Sequence, residues 1–245
     1  MGIAGVVAVA RTGGDDAAGR AAPGGEPVYL LYYRGTLDAA ELRELPFEGD
    51  VSAPGAWGRL MNGGASLAVE GRRVDVIYRD LDAVERWVAE ASEGRFEIDA
   101  VDRWVAGMPT YVLAAELATC ETLAGELPRP EFPPALRESA TRRWRDSAAR
   151  VLEIAESLAV RGDVAGCVGL LAKAAVATAQ ARLAERGEWA LNEGGIVRRA
   201  GLARTEAILA ATGDRPLDLE RAVTRMRVAL GLSAAEARET DPDSR

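Results

Sequence analysis

Residues 64–80 read GASLAVEGRRVDVIYRD, and the fold turns on how they are divided. The apolar residues fall into two β-prone runs. Glu70-Gly71 between them is the kind of pair that closes a tight hairpin, because such turns need backbone with positive φ. Within RVDVIYR a period of two puts Val74, Val76 and Tyr78 on one face and Asp75, Ile77 and Arg79 on the other. The pattern then changes. Val84, Trp87, Val88 and Ala91 recur at helical spacing, Asp82 and Glu85 have the spacing of a capping box, and Gly94 supplies a stop. A hairpin feeding directly into an amphipathic helix predicts an α/β unit.

Working outward, GVVAVA (5–10) is a short apolar strand and VYLLYY (28–33) a continuous β-prone run, hence a central strand. TLDAAELREL (36–45) is a short helix stopped by Pro46. From about residue 105 the chain reads as wholly helical. TYVLAAELATCETLAG forms one helix, and LPRPEFPPA (127–135) breaks the chain. Two long helices follow, separated by Gly162 with Asp163 as N-cap. Further helices are expected near 195–212 and 217–230, and short connections imply antiparallel neighbours in a bundle. The expected architecture is therefore an α/β mixed sheet over residues 1–105, then an all-α helical bundle over 106–232. Residues 233–245, ending ETDPDSR, are expected to be disordered. A cleft between two such domains would suit a small molecule.

Composition removes several chemistries. There is no histidine among the 245 residues, which rules out a Ser-His-Asp triad, a Cys-His pair and His-ligated zinc. Lys173 is the sole lysine among 30 basic residues, so a Schiff base could use no other. It sits in an apolar helical run, where a snorkelling side chain is the simpler account. Cys120 and Cys167 are isolated in helical patterns and read as core thiols in a reducing cytosol. A net charge of −8 argues against broad nucleic-acid binding. The N-terminal apolar run is too short for a signal peptide, and no membrane anchor is expected. Localisation is read as cytoplasmic.

Five segments, taken in order, resemble a known family: YYRG (32–35), GAWGRLMNGGASLAVEGRRVDVIYRDLDAVERW (55–87), LRESATRRW (136–144), RGDVAGCVGLLAKA (161–174) and ALNEGG (190–195). Together they resemble bacterial nucleotidyltransferase-like proteins of the polymerase-beta-like superfamily, including actinobacterial members with a helical C-terminal domain. The likeness spans roughly residues 14–200. It implies a nucleotidyltransferase-like mixed sheet carrying a Gly-Ser turn, an Asp-x-Asp pair and a third acid. In that family the turn amides hold phosphates and the three carboxylates hold two Mg²⁺ ions. Aligned on LLYYRG, the turn falls on Gly14-Asp15, the Asp-x-Asp pair on Glu26 and Val28, and the third acid on Asp75. A serine has thus become an aspartate, one metal ligand has become valine, and the other carboxylate is longer and followed by Pro27. The family's His-containing segment near 102–111 contains no histidine here.

The resemblance thus implies a degenerate site. Asp75 and Glu26 are the candidate catalytic carboxylates, with an Arg73 or Arg79 partner as the plainer account of Asp75. Arg34 is a candidate anion clamp. The glycine-rich 55–64 stretch would place Trp57 and Asn62 at a cleft rim. Trp104 and Tyr111 would line an apolar pocket, and Glu193 would act as a base or a cap. No metal is expected at the site.

The leading expectation is a repurposed enzyme of bacterial specialised metabolism. It would carry out proton transfer, cyclisation, isomerisation or elimination on a small molecule without metal. The first alternative is an active Mg²⁺-dependent nucleotidyltransferase, in which Asp15 and Asp16 join Glu26 and Asp75. The second is a non-catalytic binding protein. No partner beyond a small molecule is expected, and a homodimer is left open.

Overall fold

The structure is a computed structural model that describes residues 3–12 and 28–232. Gly14, Asp15, Asp16, Glu26 and the tail from residue 233 lie outside the described residues. Two compact units separate. The first lies within Met1–Asp99, Pro109–Pro133 and Trp189–Leu191; the second lies within Ala100–Met108, Pro134–Glu188 and Asn192–Arg245. The chain therefore passes between units several times, rather than once near residue 105.

The first unit is built on a six-stranded mixed sheet. In chain order its elements are β1 (Val6–Thr12), β2 (Val28–Tyr33), α1 (Ala39–Arg43), β3 (Glu48–Val51), α2 (Gly58–Met61), β4 (Gly64–Val69), β5 (Arg72–Asp80) and α3 (Leu81–Ser92). After the two-residue strands β6 (Ile98–Asp99) and β7 (Met108–Pro109) come α4 (Val112–Thr119) and β8 (Glu121–Ala124). The sheet order is β3-β4-β5-β2-β1-β8, with β2 and β5 the parallel pair at its centre.

The hairpin turns where expected: Val69 pairs with Arg72, and Glu70 and Gly71 have φ of 51° and 75°. Two consecutive positive φ values are what a two-residue hairpin matching the strands' twist requires. Tyr78 joins Leu31, Tyr33, Leu67 and Leu42 in one core cluster, with Val76 packed against it.

Two local expectations need correction here. Helix α3 is capped by Asp80, whose side chain accepts from the amides of Asp82 and Ala83, so Asp82 lies inside the first turn. The stop is as expected: Gly94 has φ 74°, and the Arg95 and Gly94 amides donate to the carbonyls of Glu90 and Ala91. The segment after residue 105 is not wholly helical. Helix α4 ends at Thr119, and Glu121–Ala124 pairs with β1 as an edge strand.

The second unit is helical: α5 (Pro134–Val160), α6 (Val164–Arg186), α7 (Ile196–Arg199), α8 (Arg204–Ala210) and α9 (Pro216–Leu230). Leu136, Ala140, Trp144, Ala148, Leu152, Ala155 and Ala159 form the buried stripe of α5. Gly162 (φ 69°) closes α5, and Asp163 caps α6 by accepting from the Gly166 amide at 2.9 Å. By length and composition α6 could cross a membrane. In the fold it packs against α5, α7, α8 and α9, and an all-round apolar helix of this kind is a core helix. The expected helix over 195–212 is two short ones, α7 and α8, divided at Gly201 (φ 72°).

Candidate functional site

The central parallel pair decides which candidates meet. β2 and β5 run in register from Val28 with Asp75 to Tyr33 with Asp80. Paired residues on adjacent strands share a face. Val28 and Asp75, brought together only by the family resemblance, therefore stand side by side, with Ser66 of β4 on the other flank of Asp75. The Asp75 carboxylate is 40% exposed and accepts from Arg73 Nε at 2.8 Å. Among the described residues no group of three His, Cys, Asp or Glu side chains could hold a metal. A valine side chain offers no donor to Mg²⁺. Of the positions that the resemblance aligns with the metal site, Val28 and Asp75 are described, while Gly14, Asp15 and Glu26 lie outside the described residues.

At the carboxyl ends of the same strands the picture differs. Arg79, 2% exposed, donates from Nε and Nη2 to both oxygens of Glu116 at 2.6 Å, and from Nη1 to the carbonyls of Leu60 and Met61 at 3.2 Å. Burial would push the guanidinium toward neutrality, but the charge and hydrogen bonds of Glu116 more than offset it and raise its pKa. Beside this pair the Tyr32 hydroxyl is held protonated, first by burial and then by the charge of Glu116. Arg79 is thus a strut joining β5, α4 and α2.

Asn62 organises the adjacent loop. Its backbone (φ 59°, ψ −80°) lies in a strained region that costs about 1–3 kcal/mol. Four hydrogen bonds hold it there. Its amide donates to Gly58, its carbonyl accepts from Trp57, Oδ1 accepts from Gly55, and Nδ2 donates to the Tyr33 hydroxyl at 2.9 Å. Asn62 lines a cavity of about 460 Å³ that lies wholly within the first unit, between the 55–62 loop and α3.

The other candidates are placed elsewhere. Arg34 forms ion pairs with Asp82 in the first turn of α3 and with Glu85 one turn further on, so its guanidinium is already engaged. Trp57 is 45% exposed, and its ring leaves no room for a β-carbon at Gly64. Tyr111 is buried in an aromatic cluster with Phe96 and Trp189, at centroid distances of 5.0 and 6.5 Å. Trp104 belongs to the second unit and is half-buried, its amide donating to Val101. The Glu193 carboxylate accepts from the amides of Val105 and Ala106, fixing that segment within the second unit. Its two oxygens thus cap the Val105 and Ala106 amides.

Burial raises the Glu193 pKa above its ordinary 4.5, while the two amide bonds and Lys173 pull it down. A raised folded-state value means the fold favours the protonated form. The stability contributed is full below the ordinary value and is lost as pH rises through the raised one. Thermal melts in that window should show wild type losing stability with rising pH relative to Glu193→Gln. Parallel curves would remove the effect.

Sequence reasoning passed over Arg59 and Arg86. Both guanidiniums lie over the Trp87 ring, at 5.2 and 5.3 Å from its centroid. Arg59 also donates to Asp99 (Nε to Oδ2, 2.7 Å) and to Glu97, and this pairing lowers the Asp99 pKa. A flag was available: Arg86 directly precedes the stripe tryptophan, and Arg59 lies within the glycine-rich loop.

Neither a protein-family model nor a characterised protein matches the sequence. Among solved structures, a nucleotidyltransferase-like protein from Exiguobacterium sibiricum is similar over 93% of this chain and 69% of its own. The identity is 11% and the TM-score 0.41, too weak a likeness to carry an argument. What stands on its own is the mixed six-stranded sheet followed by a helical region.

Proposed function

We propose that this chain is a nucleotidyltransferase-like protein that handles a small molecule without two-metal phosphoryl transfer. The resemblance of residues 55–87 supplies the class. The observation that carries the rest is the register of β2 and β5: Val28 occupies the place beside Asp75 where a second metal carboxylate would stand. Two-metal catalysis needs carboxylates converging on ions about 3.5–4 Å apart. Asp75 is the single carboxylate of the described set at that position, and it is turned to Arg73. Its exposure also speaks against a water-excluded site there, which is where proton transfer gains most. Binding of a small molecule is therefore the core of the reading. Carboxylate-assisted proton transfer through Asp75 and Glu26 is its enzymatic form, and a role in bacterial specialised metabolism is its setting.

Calorimetry of the full chain with ATP, CTP, GTP and UTP, each with and without Mg²⁺, tests the proposal. No saturable Mg²⁺-dependent heat is expected, and Asp75→Asn should titrate like wild type. Saturable Mg²⁺-dependent nucleotide binding that Asp75→Asn abolishes would sink it and favour a metal site rebuilt from Asp15, Asp16, Glu26 and Asp75.

A further inference from the structure

Of the described candidate site residues drawn from the resemblance, the cavity at the carboxyl ends of β2 and β5 takes Asn62 alone, and the candidate carboxylate Asp75 does not line it. Asp75 lies near the middle of β5. Four residues away, at about 3.3 Å per residue, it is roughly 13 Å from Arg79. The cavity's volume of about 460 Å³ falls within the roughly 300–1,000 Å³ typical of small-molecule pockets. Its position is also telling, because open α/β sheets bind ligands outside the carboxyl ends of their parallel strands. Its rim is held in a strained conformation by the four hydrogen bonds of Asn62, so the wall exists before any ligand arrives.

The lining fixes the ligand's character. Leu60, Val84 and Leu113 are buried and apolar, and Ala83 leaves space on the α3 side. Three arginines border the cavity, but they are not equivalent. Arg79 is committed to Glu116, and Arg59 to Glu97 and Asp99. Arg86 is the one lining guanidinium with no carboxylate partner among the described residues. The lining carboxylate, Asp80, is occupied with the amides of Asp82 and Ala83. One anionic group can therefore pair with Arg86 without displacing an existing ion pair. A second negative charge would need Arg59 or Arg79 to surrender its carboxylates. That disfavours phosphate esters and polyphosphates and favours a monoanion.

Resting on the binding form of the metal-free small-molecule reading, not on its proton-transfer form at Asp75, we infer that this cavity is a ligand seat and that it takes a small organic monocarboxylic acid with an apolar body. The carboxylate pairs with Arg86, and the apolar body lies against Leu60, Val84 and Leu113. Arg59, stacked on Trp87, is a wall rather than a ligand contact.

Calorimetry on the full chain tests this with three probes: 2-naphthoate, its neutral counterpart 2-naphthalenemethanol, and inorganic phosphate. Saturable binding of 2-naphthoate is expected, at least about tenfold tighter than the alcohol, with no saturable binding of phosphate. Arg86→Ala, an exposed change that keeps the fold, should cost at least about tenfold. Ala83→Phe should abolish binding by filling the space. Arg142→Ala, on α5, should change nothing.

The inference is overturned if 2-naphthoate does not bind, or if the alcohol or phosphate binds as well as the carboxylate. It is equally overturned if Arg86→Ala leaves the affinity unchanged. The nucleotide titration is read separately. Naphthoate binding alongside Mg²⁺-dependent nucleotide binding would remove the metal-free reading but leave the carboxylate seat. Absence of both would do the reverse.

Discussion

Glu116→Ala is expected to lower the stability of the first unit by about 3–5 kcal/mol, the cost typical of stranding one partner of a buried ion pair. Arg79 has almost no solvent contact, and two of its three nitrogens donate to Glu116 alone. Removing the carboxylate leaves a guanidinium that water cannot reach and that the Leu60 and Met61 carbonyls satisfy only at Nη1. Arg79→Met should be as costly, since it leaves Glu116 charged and nearly buried. Replacing both, as Arg79→Met with Glu116→Leu, should recover most of the loss, because an apolar pair of similar volume carries no desolvation penalty. The denaturant midpoint followed by circular dichroism reads all three. Three equal midpoints would show that the pair is not the strut described. The double variant has a second use. It removes Nη1 from the Leu60 and Met61 carbonyls, so any loosening of α2 should appear as weakened 2-naphthoate binding in a protein that remains folded.

That pair also shows where sequence reading stopped. Alternation placed Arg79 on the face of Asp75 and Ile77, which is where it lies, but nothing local named a partner 37 residues away on α4. The hairpin at Glu70-Gly71 and the Asp163 cap were legible because each is decided by two or three adjacent residues. The α3 cap was misplaced by two positions because Asp80 and Asp82 are both acids with cap chemistry. Asp80 wins because β5 runs up to it, leaving Leu81 as the first helical residue. The edge strand β8 was hidden inside a helical pattern. Its pairing to β1 is non-local, and only Gly125 marks its end.

For the site, the resemblance aligned Val28 and Asp75 on different segments, and the register places them together. The cavity was harder to foresee. Trp87 matched a core stripe, and the two guanidiniums over it come from elements 27 residues apart in the chain, a juxtaposition that no periodicity records.

Gly64→Ala is expected to destabilise the first unit at the upper end of the roughly 1–3 kcal/mol that overpacking costs. The wall that frames the cavity should loosen with it. A β-carbon at Gly64 would sit 2.2 Å from the Val76 carbonyl oxygen and 2.6 Å from two atoms of the Trp57 ring. The ring can swing away, since Trp57 is 45% exposed, but the carbonyl belongs to the neighbouring strand and cannot rotate out of the ladder.

Separating the two clashes makes the prediction sharp. Trp57→Ala alone should cost little. The double variant Trp57→Ala, Gly64→Ala should remain nearly as unstable as Gly64→Ala, because the backbone clash persists. Equal stability of the double variant and Trp57→Ala would mean that the ring, not the strand, excludes a side chain at residue 64. The Gly64 carbonyl accepts from the Ser52 amide, and Asn62 lies two residues before Gly64. A shift in β4 therefore propagates to the loop whose strained Asn62 shapes the cavity. Affinity for 2-naphthoate should fall in both Gly64 variants under conditions where circular dichroism still reports the folded state, and should be retained in Trp57→Ala, since Trp57 is not among the cavity's lining residues.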